Sequence, residues 1–130
     1  MRPGRAAAGP PALALALAIG WSAPALADSA ASRNNEGNRL YAQQQYDAAL
    51  RMYMDAQASR PEAPELHYNI GNALYRKGEH EKAAEEYRRA ESARDRSLAQ
   101  AAAFNRGNAL MMLGRVDEAV TAYGAVIERH

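Results

Sequence analysis

Apolar residues fall into two kinds of pattern along this chain. One is a short continuous run near the N-terminus, Pro11-Ala-Leu-Ala-Leu-Ala-Leu-Ala-Ile-Gly-Trp21. Beyond it, apolar and polar residues interleave at intervals of three and four, the period of a helix with one buried face. Val116, Val120, Tyr123, Val126 and Ile127 make such an amphipathic stretch. Between Glu79 and Glu91, acids alternate with Lys82, Arg88 and Arg89, as on a solvated helix face with i,i+4 pairs such as Glu85–Arg89. Punctuation marks the ends. Gly78 and Gly114 fit helix C-terminal caps, and Gln44 stands in the same place as a weaker stop. Pro64 suits the first turn of a helix, and Ser97 suits an N-cap. The pattern predicts an all-α fold with helices near 29–43, 46–59, 64–77, 80–94, 97–113 and 116–129.

The helices repeat in pairs. Asn35-Glu-Gly37-Asn38-Arg-Leu40-Tyr41, Asn69-Ile-Gly71-Asn72-Ala-Leu74-Tyr75 and Asn105-Arg-Gly107-Asn108-Ala-Leu110-Met111 share the wording Asn-x-Gly-Asn-x-Leu. Twelve residues after each glycine comes Ala49, Ala83 or Ala119; four further on, Tyr53, Tyr87 or Tyr123; three beyond that, Ala56, Ala90 or Val126. Glycine and alanine suit the crossing of two helices, where a missing side chain lets backbones approach. The leucine lies on the same face three residues after the glycine and fills the core. The tyrosine is expected to place a large ring between neighbouring repeats. Helices of this length bury their apolar faces only by stacking on neighbours.

This pattern resembles the tetratricopeptide-repeat (TPR) family over about residues 33–130. Pro61 matches the family's inter-repeat proline, and Asp95 stands in its place in the second repeat. Arg33 and His67 depart from the large aromatic often found early in the first helix. The resemblance implies a TPR α-solenoid of three helix–turn–helix repeats, at about 30–63, 64–97 and 100–130, within a domain spanning 28–130. Tyr68-Asn-Ile-Gly-Asn-Ala-Leu-Tyr75 and Phe104-Asn-Arg-Gly-Asn-Ala-Leu110 also look like the TPR proteins of bacterial aerotolerance (Bat) operons, envelope proteins that accompany von Willebrand factor A-type partners.

The resemblance further implies a concave groove lined by the first helix of each repeat, receiving a protein or peptide. Asn35 and Asn38, Asn69 and Asn72, and Asn105 and Asn108 then share one helix face three residues apart. An amide side chain both donates and accepts, so it pairs with extended backbone whatever its sequence. Tyr41, Tyr75 and Met111 would be apolar neighbours on that groove, and Arg76 adds a charge. The alternative is that some asparagines cap or cross-link helices and touch no ligand. The family's clamp for C-terminal carboxylates pairs such asparagines with Lys or Arg. Here Asn34, Ala101 and Asn105 stand where cations are expected, which argues against that clamp. Tyr53, Tyr87 and Tyr123 read as core.

Composition narrows the function classes. The chain has 130 residues, 16 Lys+Arg against 15 Asp+Glu, and no cysteine. A balanced charge argues against a nucleic-acid partner, which needs a basic face, and against adhesion to an anionic membrane. Without Cys there is no disulfide framework, thiolate metal site or cysteine nucleophile. His67, His80 and His130 lack metal-ligand spacing. His80-Glu81-Lys-Ala-Ala84 begins like a zinc-protease helix but lacks the second His. No Gly-rich phosphate loop or Ser-centred elbow appears. The expectation is no enzyme, no cofactor and no metal. The function expected is an interaction scaffold of the bacterial envelope; the alternative is an anchored assembly or regulatory module of a membrane complex.

That location rests on the N-terminus. Arg2 and Arg5, the apolar run and Ala25-Leu26-Ala27 are the three parts of a secretory signal, with cleavage expected after Ala27 and the mature chain periplasmic or secreted. The run is about half of the roughly 20 residues a spanning helix needs, so a membrane enters only if the leader is retained. The Ala- and Arg-rich usage resembles that of a high-GC bacterium. At the other end, the amphipathic last helix has no polar capping element after it, as repeat arrays need. The stop at His130, where a third inter-repeat proline would fall, points to a fragment; a complete chain is expected to self-associate through this helix or to dock a partner there.

Overall fold

The computed structural model describes residues 29–128; the expected leader, 1–27, lies outside the described residues. Six helices account for most of them: α1 over residues 29–42, α2 Tyr46–Ser59, α3 Pro64–Arg76, α4 His80–Ala90, α5 Arg96–Met112 and α6 Val116–Glu128. No strand occurs among the described residues. Each helix from α2 onward packs on the next, and α3 also touches α5. The result is a helical solenoid of three helix pairs.

One reversal, used three times, folds each pair. Gln45 N–H donates to Leu40 C=O and Gln44 N–H to Tyr41 C=O, both at 2.9 Å. Glu79 and Gly78 do the same to Leu74 and Tyr75, and Arg115 and Gly114 to Leu110 and Met111, again at 2.9 Å. These crossed bonds satisfy carbonyls that a helix end leaves open. They need one residue in the left-handed region, and it is Gln44 (φ 63°), Gly78 (85°) and Gly114 (75°). The leucine column therefore has a second task beyond core filling: its carbonyl anchors the turn.

The junctions between pairs differ. Pro64 opens α3, as expected. At the second junction the N-cap is Asp95, not Ser97: the Asp95 carboxylate accepts from Ser97 N–H at 2.9 Å and Leu98 N–H at 3.4 Å. Asp is a strong cap, and its charge suits the positive end of the helix; Ser97 already lies inside the first turn. The helix expected to run to residue 94 stops at Ala90. Ser92 Oγ donates to Arg89 C=O at 2.9 Å, a local bond that competes with continued helix, and the chain must extend before Asp95 to set the cap.

The glycine column works by close approach. A Cβ on Gly71 would sit 2.8 Å from Cδ1 and Cε1 of Tyr87, and one on Gly37 2.5 Å from Cε1 of Tyr53; Gly107 stands likewise against Tyr123. The tyrosine ring thus packs over the glycine of its own repeat rather than chiefly between repeats. Ala49, Ala83 and Ala119 are fully buried beside these contacts. His67, where the family pattern favours an aromatic, is only 5 % exposed. Its Nδ1 lies 3.4 Å from both Gln57 Nε2 on α2 and Glu86 Oε1 on α4, so a polar tie takes the place of ring packing.

Candidate functional site

The six asparagines of the repeated wording divide into two kinds. Asn38, Asn72 and Asn108 each accept a hydrogen bond at Oδ1 from the tyrosine of their own repeat, Tyr53, Tyr87 and Tyr123, at 2.7 Å in all three. Two of these phenols, Tyr53 and Tyr87, are held in the donating, protonated form. Burial pushes Tyr53 up to about 12, and it raises Tyr87 further still. With Oδ1 turned to a phenol, each amide's NH2 points away from it. These Nδ2 groups donate to no side chain among the described residues.

In the second and third repeats the earlier asparagine faces the preceding repeat. Asn69 Nδ2 donates to Asn34 Oδ1 at 2.9 Å. Asn105 Nδ2 donates to Tyr68 Oη at 3.2 Å and, more weakly, to Asn72 Oδ1 at 3.4 Å. Asn35, in the first repeat, is exposed. The two readings of the asparagines thus coexist: in all but Asn35, one end of the amide cross-links helices and the other stays open.

The open ends meet in a hollow. A cavity of about 200 Å³ is lined by Tyr41, Asn72, Tyr75, Tyr87, Asn105 and Asn108, bringing together side chains from α1, α3, α4 and α5. Every lining residue is uncharged, so a carboxylate entering here meets no cation. Amide donors surrounded by phenol faces suit a carbonyl-bearing, uncharged chain with an apolar side chain. Tyr41 and Tyr75 are themselves braced, edge-on, by Tyr46 at 5.3 Å and His80 at 4.9 Å. Arg76, expected to charge the groove, instead lies 5.1 Å over the Tyr46 ring, a cation–π contact. Asn38 and Met111 lie outside this lining, both exposed.

Tyr87, Tyr68 and Asn34 matter here and were not singled out as groove residues from the sequence. Asn34, Tyr68 and Phe104 form the column three residues before each glycine. That column varies in identity, so it gave no repeated wording, although Asn and Tyr share a hydrogen-bond-accepting oxygen. A larger hollow of about 660 Å³ opens between α2 and α4, floored by Leu50, Met54, Ile70 and Leu74. Its rim acids are already paired: Glu79 with Lys77 and Lys82, Glu81 with Arg115, and Glu85 with Arg88 and Arg89. The Glu85–Arg89 pair is the one its i,i+4 spacing predicts, and Arg88 binds the same carboxylate more closely, at 2.8 Å. Among the described residues, no helix is long and apolar enough to cross a membrane, and no cluster of acids and histidines is placed to hold a metal.

The family description "tetratricopeptide repeat" matches residues 34–97 and 90–129. Solved structures agree. The first TPR of Spaghetti (RPAP3), bound to the HSP90 peptide SRMEEVD, is 25% identical with a TM-score of 0.73, over 80% of this chain and 81% of that one. The Sgt2 TPR domain from Aspergillus fumigatus is 28% identical with a TM-score of 0.70, over 77% of this chain and 65% of that one. The N-terminal domain of stress-induced protein-1 from C. elegans shares the fold at 19% identity, with a TM-score of 0.75, over 81% of this chain and 87% of that one. No curated protein sequence matches the chain.

Proposed function

Because the chain belongs to the tetratricopeptide-repeat family, whose fold is a protein-interaction module, we propose that it is a non-catalytic scaffold that grips an uncharged, extended segment of a partner protein in the hollow between Tyr41, Asn72, Tyr75 and Asn108. One observation carries this reading: the hollow offers outward amide donors and phenol faces, and no charge. The Spaghetti domain was solved with an acid-rich peptide. A groove without cations favours a different ligand, one that presents backbone carbonyls and an apolar side chain. The leader sequence supports a place for this scaffold in the bacterial envelope, periplasmic or secreted once cleaved. A retained leader would make it the anchored partner of a membrane complex, in the manner of the Bat-like proteins that its Asn-x-Gly-Asn-Ala-Leu wording resembles.

The test keeps the fold while changing the open donors. Asn72→Asp and Asn108→Asp preserve the oxygen that receives the tyrosine hydroxyl and replace the NH2 with an acceptor. Partners are captured from envelope extract on the wild-type chain, identified, and titrated against the double variant. The expected result is at least about tenfold weaker binding by the variant, equal to about 1.4 kcal/mol, with unchanged helix content. The peptide SRMEEVD should bind neither protein. Equal affinity of one partner for both proteins would remove the hollow as the binding site.

A further inference from the structure

The apolar hollow between α2 and α4 shares no lining residue with the asparagine-lined one. It is built entirely from α2, α3, α4 and the turn that joins the last two, all inside the array. Of its floor residues, Ile70 and Leu74 are nearly buried. Met54 is 54% exposed, alone among the large apolar residues of α2, α3 and α4. Methionine suits a surface that adapts to what lands on it.

The next junction shows how the chain closes the equivalent place. The repeat register puts Ala84, Arg88 and Arg106 where α2 and α3 have Leu50, Met54 and Ile70, and it puts Glu91 where α2 has Gln57. The Arg106 guanidinium reaches Glu91 there, Nη2 to Oε1 at 3.3 Å, and both side chains are mostly buried. A long stem capped by a cation, set on an acid of the neighbouring helix, thus bridges the second junction. At the first, Ile70 is too short to bridge, and Gln57 lies 3.4 Å from His67 instead. Leucine, methionine and isoleucine therefore meet an opening where the equivalent place has alanine and two arginines. Residues chosen for water would run the other way.

The walls select what enters. α2 and α4 both pack on α3, which leaves a trough between two helices. Leu50, Met54 and Gln57 span two turns of α2, on the order of 10 Å, the length over which a bound helix presents anchors at i, i+4 and i+7. Along the α4 side stand Glu81 and Glu85, and their partners, Arg115, Arg88 and Arg89, come from outside the lining. A hydrogen bond from Arg88 holds the Glu85 carboxyl below its ordinary range, so it stays charged. The two lysines of the lining, Lys77 and Lys82, gather on Glu79 at one end. Pairs this exposed contribute little, and each carboxylate has room for a further donor. The trough thus offers apolar side chains beside an acidic wall. We propose that it docks an amphipathic helix of a partner protein, its apolar stripe on Leu50, Met54, Ile70 and Leu74 and its Lys or Arg edge along Glu81 and Glu85.

Fluorescence anisotropy on the full chain tests this with two labelled amphipathic peptides of about 18 residues, long enough to hold a helix, one patterned Leu/Lys and the other Leu/Glu. The Leu/Lys peptide should bind at least about tenfold tighter, and more weakly as salt rises. Gln57→Glu with Ile70→Arg, which transplants the Glu91–Arg106 closure without changing net charge, should weaken it at least about tenfold. Met54→Gln, at an exposed position that leaves the helical circular dichroism unchanged, should weaken it about fivefold. Asn72→Asp with Asn108→Asp should leave it unchanged, which separates this trough from the asparagine-lined hollow. Equal binding of the two peptides, no effect of Met54→Gln, or loss of binding in the asparagine variant would each overturn the assignment. Tighter binding by a peptide copying residues 1–27 would overturn it too, giving the trough to the chain's own leader.

Discussion

The smallest unit that explains this fold is three side chains, Gly71, Asn72 and Tyr87, with their counterparts in the other repeats. The missing Cβ at Gly71 lets the Tyr87 ring lie on the backbone of α3, and the ring's hydroxyl then reaches Asn72 Oδ1 at 2.7 Å. Ring placement and amide orientation are therefore coupled, which is why Gly and Asn are adjacent in all three repeats. The coupling makes Gly71→Ala informative. Helix propensity alone would stabilise by about 1 kcal/mol, but the new methyl would strike a buried ring pinned at its far end. Overpacking of this kind costs about 1–3 kcal/mol. The expected outcome in urea unfolding is a net loss of up to about 2 kcal/mol, accompanied by weaker binding at the hollow, because Asn72 loses its brace. A stabilising effect would show that the ring moves freely. At this scale the sequence showed which columns matter but not how the asparagine divides its work. An amide has two ends, and only the position of the tyrosine hydroxyl reveals which end is already engaged.

At the scale of the element, the three helix reversals share one geometry, while only two of them have the residue it favours. Gln44 adopts φ 63°, where Gly78 and Gly114 adopt 85° and 75°. The left-handed region costs an ordinary L residue about 1–2 kcal/mol, partly offset in a Gly variant by the entropy of a looser unfolded chain. Gln44→Gly is expected to raise stability by about 0.5–1 kcal/mol, a melting-temperature gain of roughly 3–6 °C for a domain this size. Gly78→Ala should lower it by a similar amount, and differential scanning calorimetry on both variants checks the pair. A fall in melting temperature for Gln44→Gly would mean that the Gln44 side chain makes a stabilising contact. The helix ends marked by glycine and proline were legible to within about a residue, because those residues act through backbone geometry that the local sequence determines. The end of α4 and the N-cap of α5 were not. There the boundary is a competition between Ser92, Asp95 and Ser97 for the same few backbone groups, and relative reach decides it: Asp95 takes the N–H groups of Ser97 and Leu98, and Ser92 takes Arg89 C=O.

Across the whole molecule, the solenoid distributes stability through nearest neighbours. Among the described helix pairs, α3 packs on α2, α4 and α5, whereas α6 packs on α5 alone. The fold class was legible because repetition at 34 and 36 residues leaves few architectures. The uncharged hollow was legible only in part, since it takes Tyr41, Tyr87 and Asn108 from three different pairs, and no single repeat spells it out. The unequal neighbour count predicts a gradient of local opening. Amide hydrogen exchange should be slowest in α3 and α4 and fastest in α6, whose side-chain hydrogen bonds to α5 are Tyr123 Oη to Asn108 Oδ1 at 2.7 Å and Gln100 Nε2 to Val126 C=O at 3.3 Å. Exchange in α6 as slow as in α3 would mean that stability is shared across the whole array and does not follow the number of packed neighbours.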